Sequence, residues 1–265
     1  MNIQKINYLE EYHKVLYLAG DSTVSSFHDS YYYPRYGYGT QLYRYFAGLN
    51  IINLALPGRS SKSFIQETNY KYLVQNIKED DFLIISFGHN DEKQDKLRYT
   101  NPELSLEDIA SFQYYLYSYY IKLAIDHGAI PILVTPIVRR NPFGIYTGSY
   151  IHYIEGTADF PGGDYPESIR SLGESLKITV IDLTQRTKDL YEKSDNLTTL
   201  KYHAWKTANP ESVDNTHLNV YGASIVAYLF YKDIQNTDNP LRNYLIPECV
   251  CPKEKDILFP NKNNT

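Results

Sequence analysis

The sequence predicts a three-layer α/β/α domain on a five-stranded parallel sheet, and three observations carry that prediction. Five short apolar runs recur along the chain with longer helical patterns between them. The runs are continuously apolar rather than alternating, as a strand covered on both faces requires. Strand and helix patterns also follow one another in turn, the order that builds a parallel sheet wrapped by helices. The bulk properties agree: 265 residues, 43% hydrophobic and 22% charged, fit such a domain and exclude collagen-like, coiled-coil and wholly disordered chains.

The first strand is expected over residues 15–18, followed by a helix over 40–47. A second strand over 51–54 leads to a helix over 64–76, and a third over 82–86 to the longest helix, 106–126. Ser105 offers that helix an N-cap, Glu107 and Asp108 a negative first turn, and Gly128 a C-cap glycine. The fourth and fifth strands are expected over 130–135 and 179–182, with helices over 166–176, 183–193 and 221–234. The segment from 139 to 164, rich in Gly, Pro and Tyr, is too long for a plain connection and reads as a lid or binding loop. One domain is expected over residues 1–252, with 253–265 a frayed tail.

Net charge is −5 and Lys and Arg are scattered, so nucleic acid and anionic membrane are not the expected partners. No apolar run approaches the roughly 18 residues of a membrane span, and residues 1–12 lack the apolar core of a signal peptide. The reading is a cytoplasmic protein, for which the sequon Asn196-Leu197-Thr198 has no use. Cys249 and Cys251 lie one residue apart near the C-terminus and imply no disulfide framework. There are 28 Tyr; clusters such as Tyr31, Tyr32 and Tyr33, or Tyr114 and Tyr115, offer rings for stacking on sugars, although packing is the ordinary use of so many.

Ligands of an open parallel sheet bind at the carboxyl ends of its strands. Three polar motifs fall there: Gly20-Asp21-Ser22-Thr23, Leu56-Pro57-Gly58-Arg59-Ser60 and Phe87-Gly88-His89-Asn90-Asp91. A fourth, Asp214-Asn215-Thr216-His217, precedes the last helix. Acyl transfer needs a hydroxyl nucleophile, a base, a group that orients the base and donors for the oxyanion. Ser22 is the candidate nucleophile, His217 the base and Asp214 its orienter, their spacing of three placing both on one face of a helical turn. The N–H groups of Ser22 and Gly58 and the side-chain amide of Asn90 are the candidate oxyanion donors, while Arg59, His89 and Asp91 are candidate substrate contacts.

These blocks resemble the SGNH, or GDSL, hydrolases, and within them the rhamnogalacturonan acetylesterase-like carbohydrate esterases. The likeness runs from Gly20-Asp21-Ser22-Thr23 through Asn53-Leu54-Ala55-Leu56-Pro57-Gly58-Arg59-Ser60 and Phe87-Gly88-His89-Asn90-Asp91 to Asp214-Asn215-Thr216-His217-Leu218-Asn219. It implies a flavodoxin-like fold, no cofactor and no metal, and removal of acetyl groups from pectin-type oligosaccharide by Ser22, His217 and Asp214 with donors on Ser22, Gly58 and Asn90. The polar N-terminus, by itself and apart from the resemblance, suggests that the enzyme meets imported oligosaccharides rather than intact pectin.

Two rivals remain. A metal-dependent hydrolase would gather Asp21, His89, Asp91, Asp214 and His217 at one rim, although the order Gly88-His89-Asn90-Asp91 puts an amide at the inner position. A non-catalytic sugar-binding protein would keep the fold and an aromatic rim. His152 and His203 could line the groove, although a lone exposed His is more often inert.

Overall fold

A computed structural model describes residues 14–27, 34–206 and 209–257. The Tyr31 to Tyr33 cluster, the polar N-terminus and the last part of the tail lie outside these residues.

Five parallel strands form the central sheet in the order β2-β1-β3-β4-β7. They are β1 (Val15–Gly20), β2 (Asn50–Asn53), β3 (Phe82–Ser86), β4 (Ile130–Val134) and β7 (Val180–Ile181). Each apolar run is thus a strand, as continuous burial on two faces predicts. Successive side chains point to opposite faces, and two cores result. Leu16, Leu18, Ile84, Ile132 and Val134 face one core, closed by α6 (Leu183–Glu192) and α8 (Val220–Gln235). Tyr17, Ala19, Leu83, Ile85 and Leu133 face the other, closed by α1 (Ser61–Phe64), α2 (Thr68–Asn76), α3 (Phe112–Leu116), α4 (Lys122–Asp126) and α5 (Tyr165–Leu176). The sheet therefore has helices on both faces, the three layers expected.

Several elements differ from the sequence reading, each for a local reason. The helix expected over 64–76 is two: Ser60 and Ser63 close a capping box that starts α1, and extended Glu67 separates it from α2. The helix expected from 106 starts at Phe112, because Ser111 accepts from the N–H groups of Gln113 and Tyr114 while Asp108 captures that of Ala110 in a turn. Tyr117–Ile121 makes one π turn between α3 and α4. Gly128 ends α4 as expected, at φ +71, its N–H bonded to Ile125 O and that of Ala129 to Ala124 O. Residues expected to be helical over 40–47 form a 3₁₀ turn, Tyr38–Arg44, packed on α8.

Two hairpins and a short helix were not read from the sequence. β5 (Tyr153–Ile154) pairs with β6 (Gly163–Asp164), and α7 (Asn196–Leu200) precedes β8 (His203–Lys206), which pairs with β9 (Asn209–Leu218). In the second hairpin Trp205 opposes Val213 and His203 opposes Leu218, so residues 214–217 bulge from β9 opposite Ala204 alone. No helix among the described residues is long and apolar enough to cross a membrane.

Candidate active site

Ser22, Gly58, Asn90 and His217 line one cavity of about 1180 Å³ at the carboxyl ends of β1, β2 and β3. Ser22 follows β1 in a turn fixed by its neighbour: Asp21 Oδ1 accepts from Thr23 N at 2.9 Å and Thr23 Oγ1 at 2.8 Å. Gly58 follows β2 at φ +76, a conformation that costs glycine least. Nothing lies within 4 Å of where its Cβ would stand, so backbone geometry rather than space calls for glycine here. Among the described residues, the N–H of Ser22, the N–H of Gly58 and the side-chain amide of Asn90 meet no acceptor, which leaves three donors for a ligand.

His217 Nε2 lies 2.8 Å from Ser22 Oγ, and its Nδ1 lies 2.9 Å from Asp214 Oδ2. A carboxylate only accepts, so Nδ1 carries the proton and Nε2 is free to take one from Ser22. The pair does not lie on a helical turn as expected. It occupies the β9 bulge, where Asp214 Oδ1 accepts the N–H of Thr216 and of His217, each at 3.1 Å, and so folds the segment back on itself. Burial pushes the Asp214 carboxyl up, but its hydrogen bonds to the His217 ring and to the two amides outweigh this and hold it well below the usual carboxylate range.

Two supports for this bulge were missed in the sequence. Arg35 Nη2 reaches Asp214 Oδ2 at 2.6 Å. His203 is buried at 3% exposure, and its Nδ1 lies 3.0 Å from Asp214 O and 3.2 Å from His217 O, fastening the bulge at both ends. Burial brings the His203 ring down to about 4, so it is neutral and donates from Nδ1. Neither His203 nor fully buried His152 lines the cavity, so of the two readings open to them the groove-lining one is set aside.

Of the three expected substrate contacts, only Arg59 lines the cavity, with Nε 2.5 Å from Glu67 Oε1. His89 is buried edge-on against His152, ring centroids 4.3 Å apart, and burial lowers its pKa well below that of an ordinary imidazole. Asp91 is fully buried and accepts from Ser61 N, Ser61 Oγ, Thr100 Oγ1 and Gly88 N, so it joins α1 to the turn after β3. Burial pushes the Asp91 carboxyl up to about 7 against those bonds. His89 and Asp91 thus brace the turn that presents Asn90. No group of three or more His, Cys, Asp or Glu among the described residues is placed to hold a metal ion.

The segment 139–164 was expected to be a lid or binding loop, yet none of it lines this cavity. Its first two residues tie the site together from behind. Arg139 pairs with Glu92, two residues beyond Asn90, and Arg140 bonds Asn215 Oδ1 at 2.9 Å while its N–H meets Asn215 O at 2.8 Å.

Comparison with known proteins adds a family. The profile described as GDSL-like lipase/acylhydrolase matches residues 16–230. A rhamnogalacturonan acetylesterase of Bacillus subtilis is 32% identical over 87% of this chain and 94% of its own length. A probable rhamnogalacturonan acetylesterase of the same organism is 31% identical over 88% and 98%. Among solved structures, the YxiM protein of B. subtilis superposes with a TM-score of 0.62 at 24% identity, covering 84% of this chain and 56% of that one. This chain therefore spans little more than half of that structure. An acetylxylan esterase from Geobacillus stearothermophilus gives 0.54 at 16% identity, over 85% of this chain and 95% of that one, a likeness of fold.

Proposed function

The chain belongs to the GDSL-like lipase/acylhydrolase family and is a carboxylic ester hydrolase, and from that premise we propose that it removes O-acetyl groups from carbohydrate through an acetyl-serine intermediate. Pectin- or rhamnogalacturonan-derived oligosaccharides are the proposed substrates, by similarity to the B. subtilis relatives. The observation that carries the chemistry is the run of contacts Ser22 Oγ, His217 Nε2, His217 Nδ1 and Asp214 Oδ2, at 2.8 and 2.9 Å, opening on a cavity that three free donors also face.

In the proposed reaction His217 Nε2 takes the Ser22 proton as Oγ attacks the acetyl carbonyl carbon. The oxyanion is stabilised by the N–H groups of Ser22 and Gly58 and the amide of Asn90, the cavity-lining donors that meet no acceptor among the described residues. Ionised Asp214 faces the imidazolium that forms. His217 then gives its proton to the departing sugar oxygen as the acyl C–O bond breaks. Water, deprotonated by the same Nε2, attacks the acetyl carbon; acetate leaves and Ser22 recovers its proton.

The test is acetate release from p-nitrophenyl acetate, acetylated xylan and acetylated rhamnogalacturonan oligomers, by wild type and Ser22→Ala, with and without a chelator. The expected result is release that survives chelation and falls on the order of 10⁶-fold in Ser22→Ala, the size of loss when such a unit loses its nucleophile. Ser22→Ala turning over at the wild-type rate would overturn the mechanism. A clear preference for xylan would overturn the substrate.

A further inference from the structure

We propose that Lys62 and Lys96 form a subsite for the free carboxylate of an acidic sugar lying beside the acetylated one, so that the enzyme selects unesterified, uronate-bearing glycan. The proposal rests on the esterase reading above.

The cavity that holds Ser22 and His217 extends past Arg59, Lys62, Lys96 and Arg98, four cations against the two carboxylates of Glu67 and Asp95. The chain as a whole carries −5, so this cationic excess runs against the molecule's own balance. The carboxylates are spoken for. Glu67 Oε1 meets Arg59 Nε at 2.5 Å, and Asp95 Oδ2 takes both Nε and Nη2 of Arg98, at 2.8 and 2.6 Å. Two ammonium groups are left, and among the described residues neither Lys62 nor Lys96 pairs with a carboxylate.

Lys62 Nζ is held in place, donating to the backbone carbonyl of Lys96 at 2.8 Å. That bond brings its charge to the turn carrying Lys96 and uses one of its three donors, leaving two for a ligand. Two like charges at one rim repel each other, and an anion bound between them relieves that repulsion while accepting charge-assisted hydrogen bonds. The same cavity offers a surface for a sugar ring. Tyr115 and Tyr119 line it with their rings stacked, centroids 5.7 Å apart and planes 17° from parallel. Such faces pack against the apolar faces of a ring while the carboxylate at its edge reaches the ammonium groups. A methyl ester at that position carries no charge and satisfies neither lysine. The enzyme would then follow, in any reaction sequence, a hydrolysis that converts uronate methyl esters to free carboxylates and methanol.

The test compares one acetylated oligomer in three forms: with free uronate carboxyls, with the same carboxyls methyl-esterified, and with them reduced to alcohols. Wild type should favour the free acid in kcat/KM by about tenfold or more, the scale of one charge-assisted contact. That preference should fade as salt rises from about 50 to about 500 mM, because the subsite is open to solvent. In the double variant Lys62→Gln, Lys96→Gln the ratio of free acid to reduced oligomer should fall close to one. Since the ratio is taken within a single preparation, any loss of folded enzyme cancels from it. Equal rates on all three forms by wild type, or an unchanged ratio in the double variant, would sink the subsite and leave the esterase standing. Acetate release from p-nitrophenyl acetate but from none of the three oligomers would remove the carbohydrate substrate and this inference with it.

Discussion

Four donors meet the carboxylate of Asp214: the His217 ring, Arg35 and the amides of Thr216 and His217. With its folded pKa held below the ordinary carboxylate range, that group stays ionised at neutral pH, so its charge is a constant of the site rather than a switch. In the proposed reaction Asn90 is different, because its amide would meet the oxyanion only once that charge forms. Asn90→Ala should therefore lower kcat by about 10²–10³ with little change in KM, the usual effect of deleting one such donor; a change confined to KM would mean that the amide binds ground-state substrate instead. Ser22, Gly58, Asn90, Asp214 and His217 are all legible in the sequence because each sits in a short block at a strand end or before a helix. Arg35 and His203 are not legible. Their contacts with the bulge join residues remote along the chain, and nothing near a lone Arg or His in sequence marks such a partner.

The elements around the site are tied by pairs of side chains that the motif blocks do not include. Glu92, in the turn after β3, bonds both Arg139 and His152, the latter at 3.0 Å from Oε2 to Nδ1. Burial acts to raise the Glu92 carboxyl, but His152 and Arg139 together bring it below the ordinary 4.5. A folded pKa below the unfolded one gives stability that is complete above the unfolded value and lost as pH falls through the folded one. Glu92→Gln should therefore cost about 3–5 kcal/mol near neutrality, as breaking a buried pair does, with the gap to wild type narrowing below pH 4.5. Urea midpoints at pH 7 and pH 3.5 would show this, and a gap equal at both would mean that the carboxylate charge is not what holds the two loops. At this scale the sequence was readable where periodicity was strong, as in α5, α6 and α8. It misled where polar side chains near Asp108 and Ser111 captured backbone amides in turns. It also misled where the length of segment 139–164 suggested a lid, since Arg139 and Arg140 instead brace the site from behind.

Across the whole molecule, the candidate site joins the two ends of the chain: Ser22 follows the first strand, and His217 precedes the last helix. The parallel sheet and its two cores were legible from the apolar runs, but this closure depends on how α8 docks, which no run reports. Asn219 caps α8 and ties it to the strand beside it, its Nδ2 donating to Lys201 O and His203 O at 2.8 and 3.1 Å. Farther along, α8 receives the Tyr45 hydroxyl on Ser224 O at 3.2 Å, which links it to the 3₁₀ turn after β1. A tight approach lies at Gly222, where a Cβ would stand 2.0 Å from the carbonyl oxygen of Tyr202. That oxygen is backbone and already accepts the Asn219 N–H at 3.0 Å, so it cannot swing aside as the end of a flexible side chain would. Gly222→Ala must push the start of α8 away from β8, and His203 on β8 holds both ends of the bulge that carries Asp214 and His217. The expected cost is about 1–3 kcal/mol, with Tm lower by about 2–4 °C per kcal/mol in a chain of this size. Moving His217 by even about 1 Å against Ser22 should also lower kcat, by up to about 10²-fold. Calorimetry together with kinetics well below Tm would check the coupling: a variant that loses Tm but keeps kcat would show that helix docking stabilises the fold without setting the distance between Ser22 and His217.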